Sequence, residues 1–455
     1  MYFTQFALFL QRIWLYAKYI FDMKRKLLGL LVLIAGIVGV VYLVNNCEGK
    51  KDGDAHILPS DSTTVATTKP VVRIYVENSG SMNGYVTTDS QFKNALGRLI
   101  TKANRTYPNT QLRFVNQDIC YSPLCDNLDD FVLNLNTATM KVGNTSSTDI
   151  NKIFEMILDR TQGDTISVLV SDCMYDVENV GSKLSAAANS TMGKFMGAIS
   201  RAHDAKEEFG VIIMQCMSEF NGNYYEGNTA IPCNGLRPYY IIAMGGLKQL
   251  MHFNEQMELE NTSTGLPGLT HKYMLSSGGT WTLDNTTARV YIRDFTNAKK
   301  IQLEDNRLDI RKITTDHDKP NLTFAVALGV SHLFVDRAYL LDKENYAVEP
   351  AQFAIAEICD SVSFAEYNVF ARPYAIQLTT EGQNFVPQVT IRLLNKIPSW
   401  VKACNYNKQT GVLPPENQSY AIYEMIEGIY NAFYNSIEGK NKDLFRLSFH
   451  IKGYE

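Results

Sequence analysis

No C-x-x-C pair occurs among the eight cysteines of this 455-residue chain, which argues against a zinc ribbon, where closely spaced thiolates close a tetrahedral shell. No G-x-S-x-G segment is present and no histidine lies between Ser79 and His203, so a serine-hydrolase elbow and its nearby base are missing. Neither a basic stripe nor a basic low-complexity tail occurs, and the net charge is only −4, which argues against nucleic acid as a partner.

Long uncharged apolar runs are absent with one exception, residues 27–44. Lys24, Arg25 and Lys26 stand before it and Met23 is a natural start, so residues 1–46 read as a signal peptide or a single transmembrane helix. Eighteen residues just suffice to span a bilayer. The basic flank should stay in the cytoplasm, leaving the bulk of the chain extracytoplasmic at the cell membrane, periplasmic or on the surface. Cys47 follows at once, in a setting that resembles a poor lipoprotein cleavage site because Asn46 stands where a small residue belongs. Residues 47–69, rich in Asp, Ser and Thr, read as a flexible linker.

What is present begins at residue 71. Residues 71–76 are β-branched or aromatic apart from Arg73, the composition of a strand near the middle of a sheet. The next residues, Glu77, Asn78, Ser79, Gly80 and Ser81, form an acid-x-Ser-x-Ser turn whose oxygens suit a hard cation such as Mg²⁺. Taken alone, these five residues also fit a capped strand-to-helix turn. Two later segments add to them. Residues 143–150 are a hydroxyl-rich loop entering an amphipathic helix, and residues 166–172 are a second buried strand ending in Asp172. Apolar residues at helical spacing in 88–104, 150–158 and 183–206 alternate with strands at 111–117, 209–217 and 238–244, separated in the last case by an insertion at 219–237. This alternation predicts an α/β fold with a doubly wound, mostly parallel sheet over residues 70–260.

The three pieces in this order resemble the von Willebrand factor A domain and its metal-ion-dependent adhesion site, over about residues 70 to 255. The positions matching that motif are Glu77, Ser79, Ser81, Thr148 and Asp172. The resemblance implies that Ser79, Ser81 and Thr148 hold Mg²⁺, or Mn²⁺ or Ca²⁺, directly, with Glu77 and Asp172 acting through water. It also implies a partner protein whose carboxylate completes the shell. Glu77 departs from the family, where aspartate is usual, and reaches one methylene further.

From about Leu269 the period changes. Strands at 280–283, 288–292, 322–328, 353–358, 363–370, 374–378 and 386–393 predict a β-rich, sandwich-like domain over 261–455, with a late helix at 418–437 and a last strand at 444–451. Cys173 and Cys216 read as core residues, and Cys120 and Cys125 flank a loop where they could pair in an oxidising compartment. Asp316, His317 and Asp318 read as a solvated loop. Three functions remain open at this point. One is a tethered binding protein that engages a partner's acidic group. The others are a structural subunit whose metal site is degenerate, and a hydrolase using Ser79 or the cation.

Overall fold

The computed structural model describes residues 70–146, 149–175, 182–226, 229–296, 298–315, 322–330, 333–360, 374–380, 388–408, 411–434 and 443–453. The apolar run at 27–44, Cys47, the linker at 47–69, Thr148, residues 316–318 and the expected strand at 363–370 lie outside the described residues. Among the described residues no helix is long and apolar enough to cross a membrane.

Seven strands form the first sheet: β1 (Val71–Glu77), β2 (Thr110–Val115), β3 (Ile119–Cys120), β4 (Thr165–Ser171), β5 (Phe209–Glu226), β6 (Thr229–Gly246) and β7 (Leu269–Ser276). Their order is β3-β2-β1-β4-β6-β5-β7. Alternation along each strand sends side chains to two cores. Val72, Ile74, Val76, Ile166, Val168 and Val170 pack on one face with helices α1 (Gln91–Thr106) and α4 (Leu247–Met257). Tyr75 and Leu169 face the other way, among α2 (Ile150–Leu158), α3 (Ser182–Asp204) and α5 (Ile422–Tyr434). Every one of these strand residues is at least 99% buried, and each aliphatic one contributes on the order of 1.5–3 kcal/mol.

Helix α1 starts where Ser90 caps it, its hydroxyl accepting from the amide of Lys93, and it buries Phe92, Leu96, Leu99, Ile100 and Ala103. Helix α2 starts at Asp149, whose carboxylate accepts from the amide of Asn151 at 2.9 Å. The two helices lie on opposite faces, and their connections lead to β2 and β4 on opposite sides of β1. The carboxyl end of β1 is therefore a topological switch point, where open α/β sheets leave a crevice.

The sheet is mixed, not mostly parallel. β1 runs parallel to β2 and β4, whereas β2–β3, β4–β6, β5–β6 and β5–β7 are antiparallel. Residues 219–237, expected as an insertion, instead lengthen β5 and β6 into a continuous hairpin of two 18-residue strands. A connection that short cannot make the crossover that parallel neighbours need.

The later strands are β8 (Trp281–Leu283), β9 (Ala288–Thr296), β10 (Ala298–Leu303), β11 (Ile310–Thr315), β12 (Leu322–Leu328), β13 (Tyr346–Glu349), β14 (Phe353–Asp360), β15 (Tyr374–Thr380), β16 (Gln388–Leu394), β17 (Asn405–Tyr406), β18 (Ser419–Tyr420) and β19 (Asp443–His450). Two four-stranded sheets, β14-β15-β12-β9 and β13-β16-β19-β8, share one core. The rings of Phe324 and Phe449, one from each sheet, meet edge to face at 6.3 Å.

The cores do not divide at residue 260. β7 completes the first sheet, and α5 returns from the far end of the chain to cover it. Gly428 makes that return possible: a Cβ there would stand 2.5 Å from the carbonyl oxygen of Ala188 on α3.

Candidate metal centre

The parallel register of β1 and β4 brings Val76 beside Val170, so the two strands end abreast. Glu77 is 3% exposed there, and Ser171 donates a hydrogen bond to its Oε2. The same hydroxyl accepts from the amide of Cys173 at 2.8 Å. Cys173 has a φ of 55°, the left-handed region that non-glycine residues seldom enter. The chain thus turns sharply right after Asp172.

Beyond Glu77 the chain enters a 3₁₀ turn, Gly80–Tyr85. Ser79 Oγ and Ser81 Oγ lie 3.0 Å apart. Asp172 is 6% exposed, and burial pushes its carboxyl above the ordinary carboxylate range. A hydrogen bond with Ser81, the amide of Met174 and the charge of Arg237 act in the opposite direction. Glu77, Ser79, Ser81 and Asp172 therefore gather at the end of β1 and β4. Thr148 lies outside the described residues, although Thr145 of the same loop accepts from the amide of Gly80 at 3.2 Å.

Sequence reasoning missed the residues that hold this arrangement. The Asn78 side chain donates to the carbonyls of Met140 and Val142, at 2.7 and 2.8 Å. Its own oxygen accepts from Asn116 at 2.9 Å, and Asn116 also donates to Val142. This buried pair ties the residues just before the hydroxyl-rich loop to the first turn. Ser171 was detectable as the polar residue closing an apolar run. Asn78 gave no such sign, because it stands at the unspecified position of the acid-x-Ser-x-Ser pattern.

The long hairpin forms the remaining wall. Phe220 packs edge to face on Tyr85 at 4.8 Å. Thr87 donates to the carbonyl of Asn221 at 3.1 Å, and Tyr85 donates to the carbonyl of Pro238 at 2.6 Å. Gly84 and Gly222 let the two backbones touch: a Cβ on Gly222 would lie 2.7 Å from Gly84 Cα. The Tyr225 hydroxyl reaches within 3.5 Å of where a side chain on Gly80 would begin. Arg237, 5% exposed, sits over the Tyr224 ring at 5.0 Å and donates to the carbonyls of Pro414, Pro415 and Gln418. Ser81, Asp172, Arg237 and Ser419 line a cavity of ≈ 10 Å³ between turn and hairpin, about the room one water needs.

The donor set is two carboxylates and serine hydroxyls, oxygen throughout. Ligands at about 2.1 Å on adjacent corners of an Mg²⁺ octahedron stand about 3.0 Å apart, the separation of Ser79 and Ser81. The residues present fit a hard divalent cation. Among the described residues no group of three His, Cys, Asp or Glu side chains is placed to hold a metal ion, so any such site here must draw on the hydroxyls.

Among the described residues no imidazole hydrogen-bonds Ser79. Three of the four described histidines have partners of their own: His252 bonds Tyr107, His271 stacks on Trp400, and His450 pairs with Asp309. Cys120 and Cys125 are both free thiols, contrary to the possible pairing, and burial raises the Cys125 thiol to about 11. Cys173 and Cys216 are core residues, as expected.

No protein-family model matches this chain, and neither does any curated protein or solved structure.

Proposed function

We propose that this protein is a membrane-tethered extracytoplasmic binding module whose first domain is a von Willebrand factor A-like fold with a metal-dependent adhesion site. Ser79, Ser81 and Thr148 would hold Mg²⁺, with Glu77 and Asp172 close by, and the bound ion would supply a positive charge for an acidic group of a partner protein. The observation that carries this reading is the Ser79–Ser81 hydroxyl pair, set at 3.0 Å next to two buried carboxylates at the switch point of the sheet. A buried carboxylate without a cation is costly, and a divalent ion offsets that cost.

The test is calorimetric titration of Mg²⁺ and Mn²⁺ into the dialysed full-length protein and into Ser81→Ala and Asp172→Ala. Binding should be lost in both variants while their thermal transitions remain. Wild-type affinity in either variant would sink the assignment.

A second reading, a structural subunit without metal, draws support from Arg237 and Ser171. Arg237 already supplies positive charge to Asp172, and Ser171 already bonds Glu77, so both acids have internal partners. No heat of binding from the wild type at millimolar Mg²⁺ would favour it. A hydrolase has less behind it, since no imidazole hydrogen-bonds Ser79 among the described residues.

A further inference from the structure

The chain that leaves β4 carries a second tie besides the bond between Ser171 and the amide of Cys173. Shortly after Asp172 comes Tyr175, buried in the core that the sheet shares with α2, α3 and α5. Its hydroxyl lies 2.5 Å from the hydroxyl of Thr191 on α3. Thr191 is fully buried, and its hydroxyl donates at 2.6 Å to Oδ1 of Asn151, a buried residue in the first turn of α2.

The chemistry of the groups sets the direction of these bonds. Asn151 Oδ1 has no proton, so the single hydroxyl proton of Thr191 goes to it and Tyr175 must donate to Thr191. Asn151 Nδ2 donates in turn to the carbonyl of Ala187 on α3, at 3.2 Å. A threonine inside a helix commonly bonds the carbonyl one turn back. For Thr191 that carbonyl is again Ala187, at 3.2 Å against 2.6 Å to Asn151, so the hydroxyl serves the contact between helices first.

Packing keeps Thr191 in place. Helix α5 lies against it at Gly428, where a Cβ would stand 3.0 Å from Thr191 Cβ. On the other side, Asn151 stands at the start of α2, which the hydroxyl-rich loop enters, and Thr145 of that loop bonds Gly80 of the metal turn. One hydroxyl on α3 therefore joins the exit of β4, where Asp172 sits, to the entrance of α2.

We propose, on the metal-binding reading above, that Thr191 is a positioning residue for the candidate metal centre, fixing the Asp172 loop against the start of α2 through Tyr175 and Asn151. Outer partners that orient metal ligands cost about 10- to 100-fold in affinity when they are lost. Thr191→Val keeps the branched shape and removes the hydroxyl. Tyr175 and Asn151 would each lose a buried partner, and the loop behind Asp172 would have to shift to replace it.

The test is titration of Mn²⁺ into the full-length protein, with the free ion followed by electron paramagnetic resonance and a thermal transition recorded for each variant. Thr191→Val and Tyr175→Phe should each weaken Mn²⁺ binding about tenfold or more. Combining them should add little, because both break the same chain of bonds. Thr191→Ser keeps the hydroxyl and should bind close to the wild-type value. Ile199→Ala, further along α3, loses buried apolar packing without touching these bonds. It should lower the thermal transition and leave Mn²⁺ affinity unchanged. Wild-type affinity in Thr191→Val, or an equal loss of affinity in Ile199→Ala, would overturn the proposal and leave the metal site standing. Absence of Mn²⁺ binding by the wild type would overturn the metal site itself, and the role of Thr191 with it.

Discussion

Ser171 reaches across from β4 to donate a hydrogen bond to Glu77 on β1, so the first acid of the candidate site is held by a neighbouring strand. This gives the unusual length of Glu77 a physical reason. An aspartate at the same place would fall one methylene short of that hydroxyl. Ser171→Ala should lower stability by about 1–3 kcal/mol in chemical denaturation, because it strips a buried carboxylate of a donor. Glu77→Asp should do the same while preserving Mg²⁺ affinity if the acid acts through water. A fall in both quantities for Glu77→Asp would mean that glutamate meets the ion directly.

Arg237 should oppose metal binding while supporting the fold. Arg237→Gln removes a buried cation near Asp172 and takes donors from three carbonyls. Stability should fall by about 2–4 kcal/mol. The folded fraction should bind Mg²⁺ several-fold more tightly, since a positive neighbour has gone. Weaker metal binding in this variant, with the fold retained, would mean that Arg237 supports the site and does not compete with the ion.

Gly222→Ala tests the wall of the site. The new methyl would meet Gly84 Cα at 2.7 Å, so hairpin and turn must part. Overpacking of this kind costs about 1–3 kcal/mol. It should also blunt metal affinity, because the turn carrying Ser81 loses its backing. A thermal transition equal to that of the wild type would show that the contact yields freely.

A pH effect should come from the joint between the two cores. Lys272 on β7 lies 2.5 Å from Glu260 and 3.4 Å from Asp336, which is 4% exposed. Phe334 packs into the first core while Leu333 and Leu340 pack into the sandwich, so Asp336 sits where they join. Burial, against the pull of Lys272, raises the Asp336 carboxyl to about 6. The folded state therefore keeps this proton to a higher pH than the unfolded chain. The stability this group contributes is present below about pH 4 and is lost as pH rises through about 6, on the order of 3 kcal/mol. Asp336→Asn keeps the cap on the short helix Arg337–Leu341 and removes the titration. Melting curves from pH 4 to 7 should show a smaller fall for the variant than for the wild type, and parallel curves would refute the assignment.

The sequence showed the strands and helices whose periodicity is local. β1, β4, α1, α2 and α3 lie within a few residues of where apolar spacing put them, because each buries one face against a neighbour. What it hid is partnering. The polar residues of 219–237 look like an insertion, yet an antiparallel hairpin needs only main-chain groups to continue. Helix α5 read as part of the sandwich half because its apolar stripe does not say which sheet receives it. The acid-x-Ser-x-Ser turn was visible because its oxygens are close in sequence. The Asn78–Asn116 pair was not, since it is made between strands 38 residues apart.

The placement of α5 also sets an order of events during synthesis. The first sheet is complete once β7 has been made, but the face carrying Tyr75, Leu169, Ile213 and Tyr240 still lacks its last helix. More than a hundred residues, including most of the sandwich strands, leave the ribosome before residue 422 does. Throughout that interval the part of this face that α5 covers lies bare beside α2 and α3, a state prone to aggregation. A chain stopped before residue 422 should carry that bare surface permanently, so a late stop codon here would act as a folding lesion even though every residue at the end of β1 had already been translated.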